Sequence, residues 1–549
     1  MSQYSKMRQS REQWKAKAIK RGQGERYQRK QSARHKATAE QKTKALEAAH
    51  ARIGQLEAQL HEITTRPKVE VVHLALQLFL EVRIGFRAVS RVLTLLAVAL
   101  GIKKAPCPQT VIHWVTRLAI VRIDSARYLQ GLPLPKAPFS NGLIWMIDIS
   151  IGLGTGKILA VLAFDAHHHQ RHRGALGLAQ VHCLGVSVAA SWTGETVAEV
   201  LKRLIAVMGR PAAYLKDRGS ELSKAVDVLD LEGLGSACID DISHAAASML
   251  KRTYQHHPDF EAFLSACGRV SGHFKQTILA CLAPPKVRTK ARFMNVHRLF
   301  IWADRVLKLS PAGGAKAGSV LARLRANLDD LPSCKALIKR FRADAKGLMG
   351  CEQLLKTKGL TPDTLAACEP LIDTIASAAV RQEFRAYLEV QLETAKELSL
   401  DQIGLPMSSD SIESLFGVAK QHGVGQTQDA ARIALRLPAL CGAPTREEAK
   451  EVLDVSVARQ KEVTDQLISL TQQRRQVLAH PERLESLSED QGHRQVELIP
   501  SPKSRSNDES IINLSTSCKN GYGPHWVAED DLAFLENTGP PEMREAVLS

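Results

Sequence analysis

Leu143-Ile144-Trp145-Met146-Ile147-Asp148-Ile149-Ser150 is the stretch from which the fold is read. Its apolar run is long enough for a strand buried on both faces. Asp148 comes at the end of that run. A carboxylate there is costly to bury and needs a partner, a proton or a cation.

Working outward, Gly156–Phe164 reads as a second strand, reached by a turn after Gly152 and Gly154, so the first two strands form a hairpin. Gln180–Ala190 is a third. Thr193 to Met208 reads as a helix with Val197, Val200, Leu201, Leu204, Ile205 and Met208 on one face. Ala212–Lys216 is a fourth strand, closed by Asp217 and a Gly turn. Glu221–Leu229 is a short helix and Ser236–Asp240 a fifth strand. Three strands, helix, strand, helix, strand predicts an α/β core with a mixed five-stranded sheet of the ribonuclease-H-like kind over 140–243.

From 244 to 405 strand patterns vanish and apolar residues recur at helical spacing, which predicts an all-helical insertion. A core residue is the default for Trp302 within it. Residues 406–440 bring a last core helix, Asp410-Ser411-Ile412-Glu413-Ser414-Leu415-Phe416-Gly417-Val418-Ala419-Lys420. Glu413 is in its first turn and Lys420 lies two turns on along the same face. Asp148, Asp217 and Glu413 are thus one strand tip, a second strand tip and a helix. Together they can hold hard cations, because magnesium prefers carboxylate oxygens and keeps several waters. Two such ions about 4 Å apart hold the attacking and leaving oxygens of a phosphodiester in line. Asp165 rivals Asp148, and Glu221 rivals Asp217.

Residues 1–45 are a basic arm, expected without regular structure until it meets phosphate; residues 1–50 carry 14 Lys and Arg against 4 Glu. Leu46, Ala49, Ile53, Leu56, Leu60 and Ile63 form a short coiled-coil-like seam over 46–66, which pairs two subunits or packs on its own chain. Pro67 closes that helix. Residues 67–130 read as a helical, helix-turn-helix DNA-binding domain, against a plain helical bundle. The face of its last helix with His113, Thr116 and Arg117 would enter a major groove. A further helix covers 445–484. Residues 485–549 read as a disordered acidic tail, with 9 acidic and 5 basic residues from Gln491 on. His167-His168-His169-Gln170-Arg171-His172 reads as a solvated loop or DNA-facing patch in preference to a metal site.

The net charge of +17 favours a polyanionic partner. Ten scattered cysteines without a C-x-x-C pair argue against a zinc ribbon and suit a reducing compartment. No apolar run reaches a membrane span. The expected location is cytoplasmic and nucleoid-associated, or nuclear in a eukaryote.

The order strand-Asp, strand-Asp, helix-Glu, with gaps of 69 and 196 residues, resembles the DDE transposases of the ribonuclease-H-like superfamily. The long second gap resembles the branch with a helical insertion domain, found in hAT elements and bacterial insertion sequences. Asp241-Ile242-Ser243-His244 looks like the C/D-x-x-H signature of that branch, and Glu413 to Lys420 matches an E-(six residues)-K spacing. The segment before Glu413, Pro406-Met407-Ser408-Ser409-Asp410, lacks the Tyr or Arg that some of these families use there. The resemblance covers roughly residues 70–440. It implies a mobile-element transposase with Asp148, Asp217 and Glu413 as catalytic metal ligands, Asp241 and His244 in support, and Lys420 on DNA phosphate. It also implies two Mg2+ ions with Mn2+ as substitute, terminal inverted repeats and target DNA as partners, and a homodimer. For Trp302, the resemblance to transposase insertion domains implies base stacking as the rival to a core position. The rival readings are a ribonuclease-H-like nuclease without strand transfer, a non-catalytic transposase-derived DNA-binding protein, and a helical scaffold.

Overall fold

The computed structural model describes residues 3–153, 156–172, 174–287, 292–309, 314–421, 430–466, 470–484 and 496–500. The apolar run at 143–153 is strand β1 (Leu143–Leu153), and β2 (Gly156–Asp165) pairs with it antiparallel, Asp148 opposite Ala160. Strand β3 (His182–Ala189) continues the meander on β2. Strands β4 (Ala213–Lys216) and β5 (Ala237–Asp240) add in parallel on the other side of β1. A sixth strand, β6 (Val496–Leu498), pairs with β3 and gives the order β5-β4-β1-β2-β3-β6. The expected sheet of five strands therefore has six. The added strand comes from within the predicted tail, where Glu497 accepts from Ser187 Oγ at 3.0 Å and meets Arg203. Apart from Ile499 and Pro500, the rest of that tail lies outside the described residues.

Both faces of β1 are covered, which is why its sequence is continuously apolar. Trp145 and Ile147 join Leu159, Val161, Val197, Leu201, Leu204 and Tyr214 in one core. That core closes the sheet against helices spanning Gly194–Met208 and Ser220–Leu231. Burying each of the large apolar side chains contributes roughly 1.5–3 kcal/mol. On the opposite face, the helix Asp410–Gln421 packs on β1.

Named in chain order, the longer helices are α1 (Gln3–Leu80), α2 (Phe86–Leu95), α3 (Pro108–Ala126), α4 (Gly194–Met208), α5 (Ser220–Leu231) and α6 (Ile242–Tyr254). The insertion follows as expected, built of helices: α7 (Pro258–Lys275), the short α8 (Arg292–Asn295), α9 (His297–Leu309), α10 (Val320–Asn327), α11 (Lys335–Lys358), α12 (Pro362–Ile372) and α13 (Ala378–Glu397). Its centre is aromatic. Phe300 stacks on Phe341 at 3.9 Å and lies 4.3 Å from Phe263. The buried Asp344 accepts from Tyr254 Oη at 2.5 Å and from the Ser377 amide at 2.9 Å. Helix α14 (Asp410–Gln421) then returns to the sheet. After the short α15 (Ala430–Ala434), the expected single helix at 445–484 is three: α16 (Arg446–Asp454), α17 (Val457–Thr464) and α18 (Leu470–Ala479). Ser456 breaks the first junction by capping α17 through the Arg459 amide. The mixed sheet, flanking helices and all-helical insertion are consistent with a ribonuclease-H-like fold.

By contacts the chain forms two units, residues 1–74 with 91–105 and residues 75–90 with 106–549. In the first, α1 replaces the expected unstructured arm and runs through Pro67 without ending there. Ala, Lys, Arg, Gln and Glu dominate this stretch, and all favour helix. The described part of the predicted seam is exposed in the single chain, Leu46 at 59% and Ile53 at 51%. The Leu60 and Ile63 side chains lie outside the described residues. In the second unit, Phe79 stacks on Phe86 at 4.4 Å, and Arg436 lies over the Phe86 ring.

In the second unit, the polar side chains of α3 expected to read DNA are bonded within the fold. Thr116 is buried and donates to the Ile112 carbonyl within the helix. Arg117 Nε donates to Gln460 Oε1 at 2.7 Å, and His113 bonds the same Gln460 side chain. Arg122 pairs with Glu448 at 2.7 Å and donates to the carbonyls of Ala439 and Ala443. Of the polar residues that suggested a groove-facing helix, His113 and Arg117 bond α17, while Thr116 bonds within α3.

Candidate active site

Parallel pairing sets the first two carboxylates side by side. Ile147 of β1 is registered with Lys216 of β4, so the next residues along, Asp148 in the middle of β1 and Asp217 just past the end of β4, are neighbours. Adjacent strands are about 4.8 Å apart. Asp148 Oδ1 accepts from the Ile149 amide at 2.6 Å. Desolvation first, and then the charge of Asp217, push the Asp148 carboxyl up to about 7. Asp217 Oδ1 accepts from the Gly219 amide at 2.9 Å, a side-chain turn that holds the carboxylate at the strand tip. A Cβ at position 219 would come within 2.8 Å of Asp217 Oδ1, so a larger residue there would displace that carboxylate.

Glu413 arrives from α14. Its Oε1 lies 3.0 Å from His244 Nε2, at the start of α6. The His244 bond, outweighing the cost of burial, holds the Glu413 carboxyl below its ordinary range, and the charge of Lys356 adds to this. Burial opposes charge on His244, but the bond to Glu413 and the charges of Asp241 and Asp217 overcome it and raise the imidazole to about 9. His244 is therefore an imidazolium at neutral pH. Lys356 itself bridges Glu352 at 2.6 Å and Asp410 at 2.7 Å, which ties α11 to the start of α14.

Asp241 explains the D-x-x-H spacing physically. It is 1% exposed and caps α6, its Oδ1 accepting from the His244 amide at 2.8 Å. Its Oδ2 accepts from the amide and the hydroxyl of Ser409, at 2.6 and 2.9 Å. The Ser409 carbonyl in turn accepts from the Ile412 and Glu413 amides at the first turn of α14. One buried carboxylate thus sets both helix starts, and with them His244 and Glu413. Desolvation raises its carboxyl, opposed by the His244 charge and the Ser409 bonds.

The rivals are placed elsewhere. Asp165 is opposite Leu143, five rungs and about 17 Å from Asp148. It is buried in a pair with Arg171 at 2.6 Å. Glu221 lies in the first turn of α5 against Ser220, outside the cluster. Lys420 is half-buried at the far end of α14. The histidine run does not form a solvated loop. His167 and His168 are buried, and His168 lies 5.0 Å from the ring of His169 and 5.2 Å from that of His172. Trp302 donates to the Leu282 carbonyl at 2.8 Å. Lys356 and Ser409 were missed by sequence reading. An isolated lysine on a distant helix carries no local signal, and Ser409 gains its meaning from Asp241 alone.

Two adjacent hard carboxylates that repel each other suit a hard divalent cation, which needs only one or two such ligands from protein. Among the described residues, no group of three His, Cys, Asp or Glu side chains is assembled to hold a metal. Glu413 is turned to His244 and is the member that would have to move or share. No helix among the described residues is long and apolar enough to cross a membrane.

No family model matches the sequence, and the search of curated proteins found no similar sequence. Among solved structures, a Drosophila P element transposase strand transfer complex is similar at a TM-score of 0.36 and 13% identity, over 72% of this chain and 99% of that one.

Proposed function

We propose that this chain acts on DNA as a DDE-type phosphoryl transferase. In this reading it nicks phosphodiester bonds at element ends and joins the freed 3′-hydroxyl to target DNA. The observation that carries the proposal is the meeting of Asp148, midway along β1, with Asp217 at the tip of β4, and Glu413 bonded to His244 within range of their charges. Such convergence of distant acidic residues on a costly, mutually repelling site is hard to explain as packing. Asp148, Asp217 and Glu413 are the residues that would hold Mg2+ or Mn2+. The chemistry supplied by the bound ions is neutralisation of phosphate charge and in-line alignment of the oxygens. Asp148 and Asp217 offer the rigid part of the ligand set, because each carboxylate is bonded to a backbone amide one or two residues on. Glu413 offers the adjustable part. The net charge of +17 supports a DNA substrate, which would bind with strong salt dependence. Lys420 is proposed as a phosphate contact, and a homodimer would bring two DNA ends together.

A second reading has its own observation. Glu413 satisfies His244, and no three-ligand group is assembled among the described residues, as expected of a DNA-binding protein without chemistry. Incubation of the full chain with supercoiled plasmid and Mg2+ tests the choice. Nicking that disappears in Asp148→Asn supports the catalytic reading. Joining of a labelled oligonucleotide 3′-end to the plasmid supports transposition, and nicking without joining leaves a nuclease. Plasmid binding with neither product supports the DNA-binding protein.

A further inference from the structure

A cavity of about 500 Å³, within the ordinary range of small-ligand clefts, shares His244 with the carboxylate cluster and has Glu261 as its own acidic lining residue. One wall is a face of α6, where His244, Ser248 and Lys251 recur at helical spacing. The opposite wall is α8, with Arg292 and Phe293. Phe293 is backed by Phe260, stacked on it at 5.2 Å, which makes the aromatic wall rigid. Arg292 is held by Glu261 at 3.0 Å, and Lys251 is exposed. His244 belongs to both sites: its Nε2 meets Glu413, and the residue lines the cavity. From His244 to Lys251 is about 10 Å along the helix, the reach of one to two nucleotides.

We propose that this cavity is a subsite for one nucleotide of a single strand that leaves the catalytic carboxylates, an inference that rests on the DNA reading above. The chemistry is a nucleotide's: cationic Lys251 for the phosphate, and the Phe293 wall for the base. Aromatic stacking and a backbone cation together are how single strands are held without sequence preference. A strand is favoured over a free nucleotide because the cavity shares a residue with the carboxylate cluster.

The test uses the full-length chain in EDTA, so that binding is read without cleavage. Fluorescence anisotropy compares a blunt duplex with the same duplex carrying a three-nucleotide single-stranded extension. The expected preference for the extension is at least about fivefold, the scale of one stacked base. Lys251→Ala, and Ser248→Trp filling the cavity, are expected to abolish the preference and leave blunt-duplex affinity unchanged within about twofold, with unaltered circular dichroism. Absence of a preference in the wild type, or its persistence in both variants, overturns the subsite. Saturation by a deoxynucleoside 5′-monophosphate, lost in Lys251→Ala and without any extension preference, also overturns the strand assignment. The two readings fail separately. A Lys251-dependent preference in a chain that never nicks DNA sinks the catalysis and keeps the subsite. Nicking without the preference sinks the subsite alone.

Discussion

His244 Nε2 lies 3.0 Å from Glu413 Oε1, although 169 residues separate them. The pair joins the first turn of α6 to the first turn of α14, the two helices that flank the insertion. Both starts are set by Asp241, so the position of Glu413 depends on a residue that would never touch substrate.

The first prediction concerns pH and stability. His244 is raised to about 9 in the folded chain, above the unfolded value of about 6.5. Its contribution is fully present below about pH 6.5 and is lost as pH rises through about 9. The melting temperature should therefore fall over that window. His244→Ala should flatten the fall, and an unchanged slope in the variant would sink the assignment.

Asp148 gives a second. Its carboxyl is raised to about 7, above the unfolded value of about 3.9, so stability is lost as pH rises from about 4 to about 7 and the full penalty stands at pH 8. Asp148→Asn should stabilise the chain at pH 8 by roughly 1–3 kcal/mol while lowering nicking more than about a hundredfold. Thermal melts and plasmid assays read the two effects. A destabilised variant would show that the carboxylate is satisfied in the native state.

Third, Mg2+ should raise the melting temperature of the wild type at pH 8, and less so at pH 6, where a proton competes for Asp148. EDTA should reverse the rise and stop nicking. Equal stabilisation of Asp148→Asn by Mg2+ would place the ion elsewhere.

Asp241 supplies a fourth prediction. Asp241→Ala removes a helix cap and two bonds to Ser409, and leaves the Ser409 donors buried. The expected loss is about 3 kcal/mol in urea unfolding, and Asp241→Asn should lose less. A loss below about 1 kcal/mol would mean that the two helix starts hold without it.

Finally, the bond from Arg117 to Gln460 predicts an anchoring role in the fold over a DNA-reading one. Arg117→Ala should cost about 1 kcal/mol of stability through its bond to Gln460. DNA affinity and its salt slope should be unchanged. A slope smaller by about one unit would return Arg117 to the DNA interface.

The sequence by itself determined the strands and helices of the core. A continuous apolar run has one economical structure when both its faces are covered, and the Gly turns and helical periodicities around it are local signals. Asp148, Asp217 and Glu413 were legible as candidates because each interrupts or ends such a pattern. Tertiary structure alone decided what they do together. The parallel register of β1 and β4 makes Asp148 and Asp217 neighbours, and the same hairpin register removes Asp165 to the far end. Tertiary packing also turned His113 and Arg117 inward onto α17, and drew β6 from a polar tail into the sheet. Such contacts join residues hundreds of positions apart. Their energies depend on distance in space, which a one-dimensional pattern of hydrophobicity and charge does not encode.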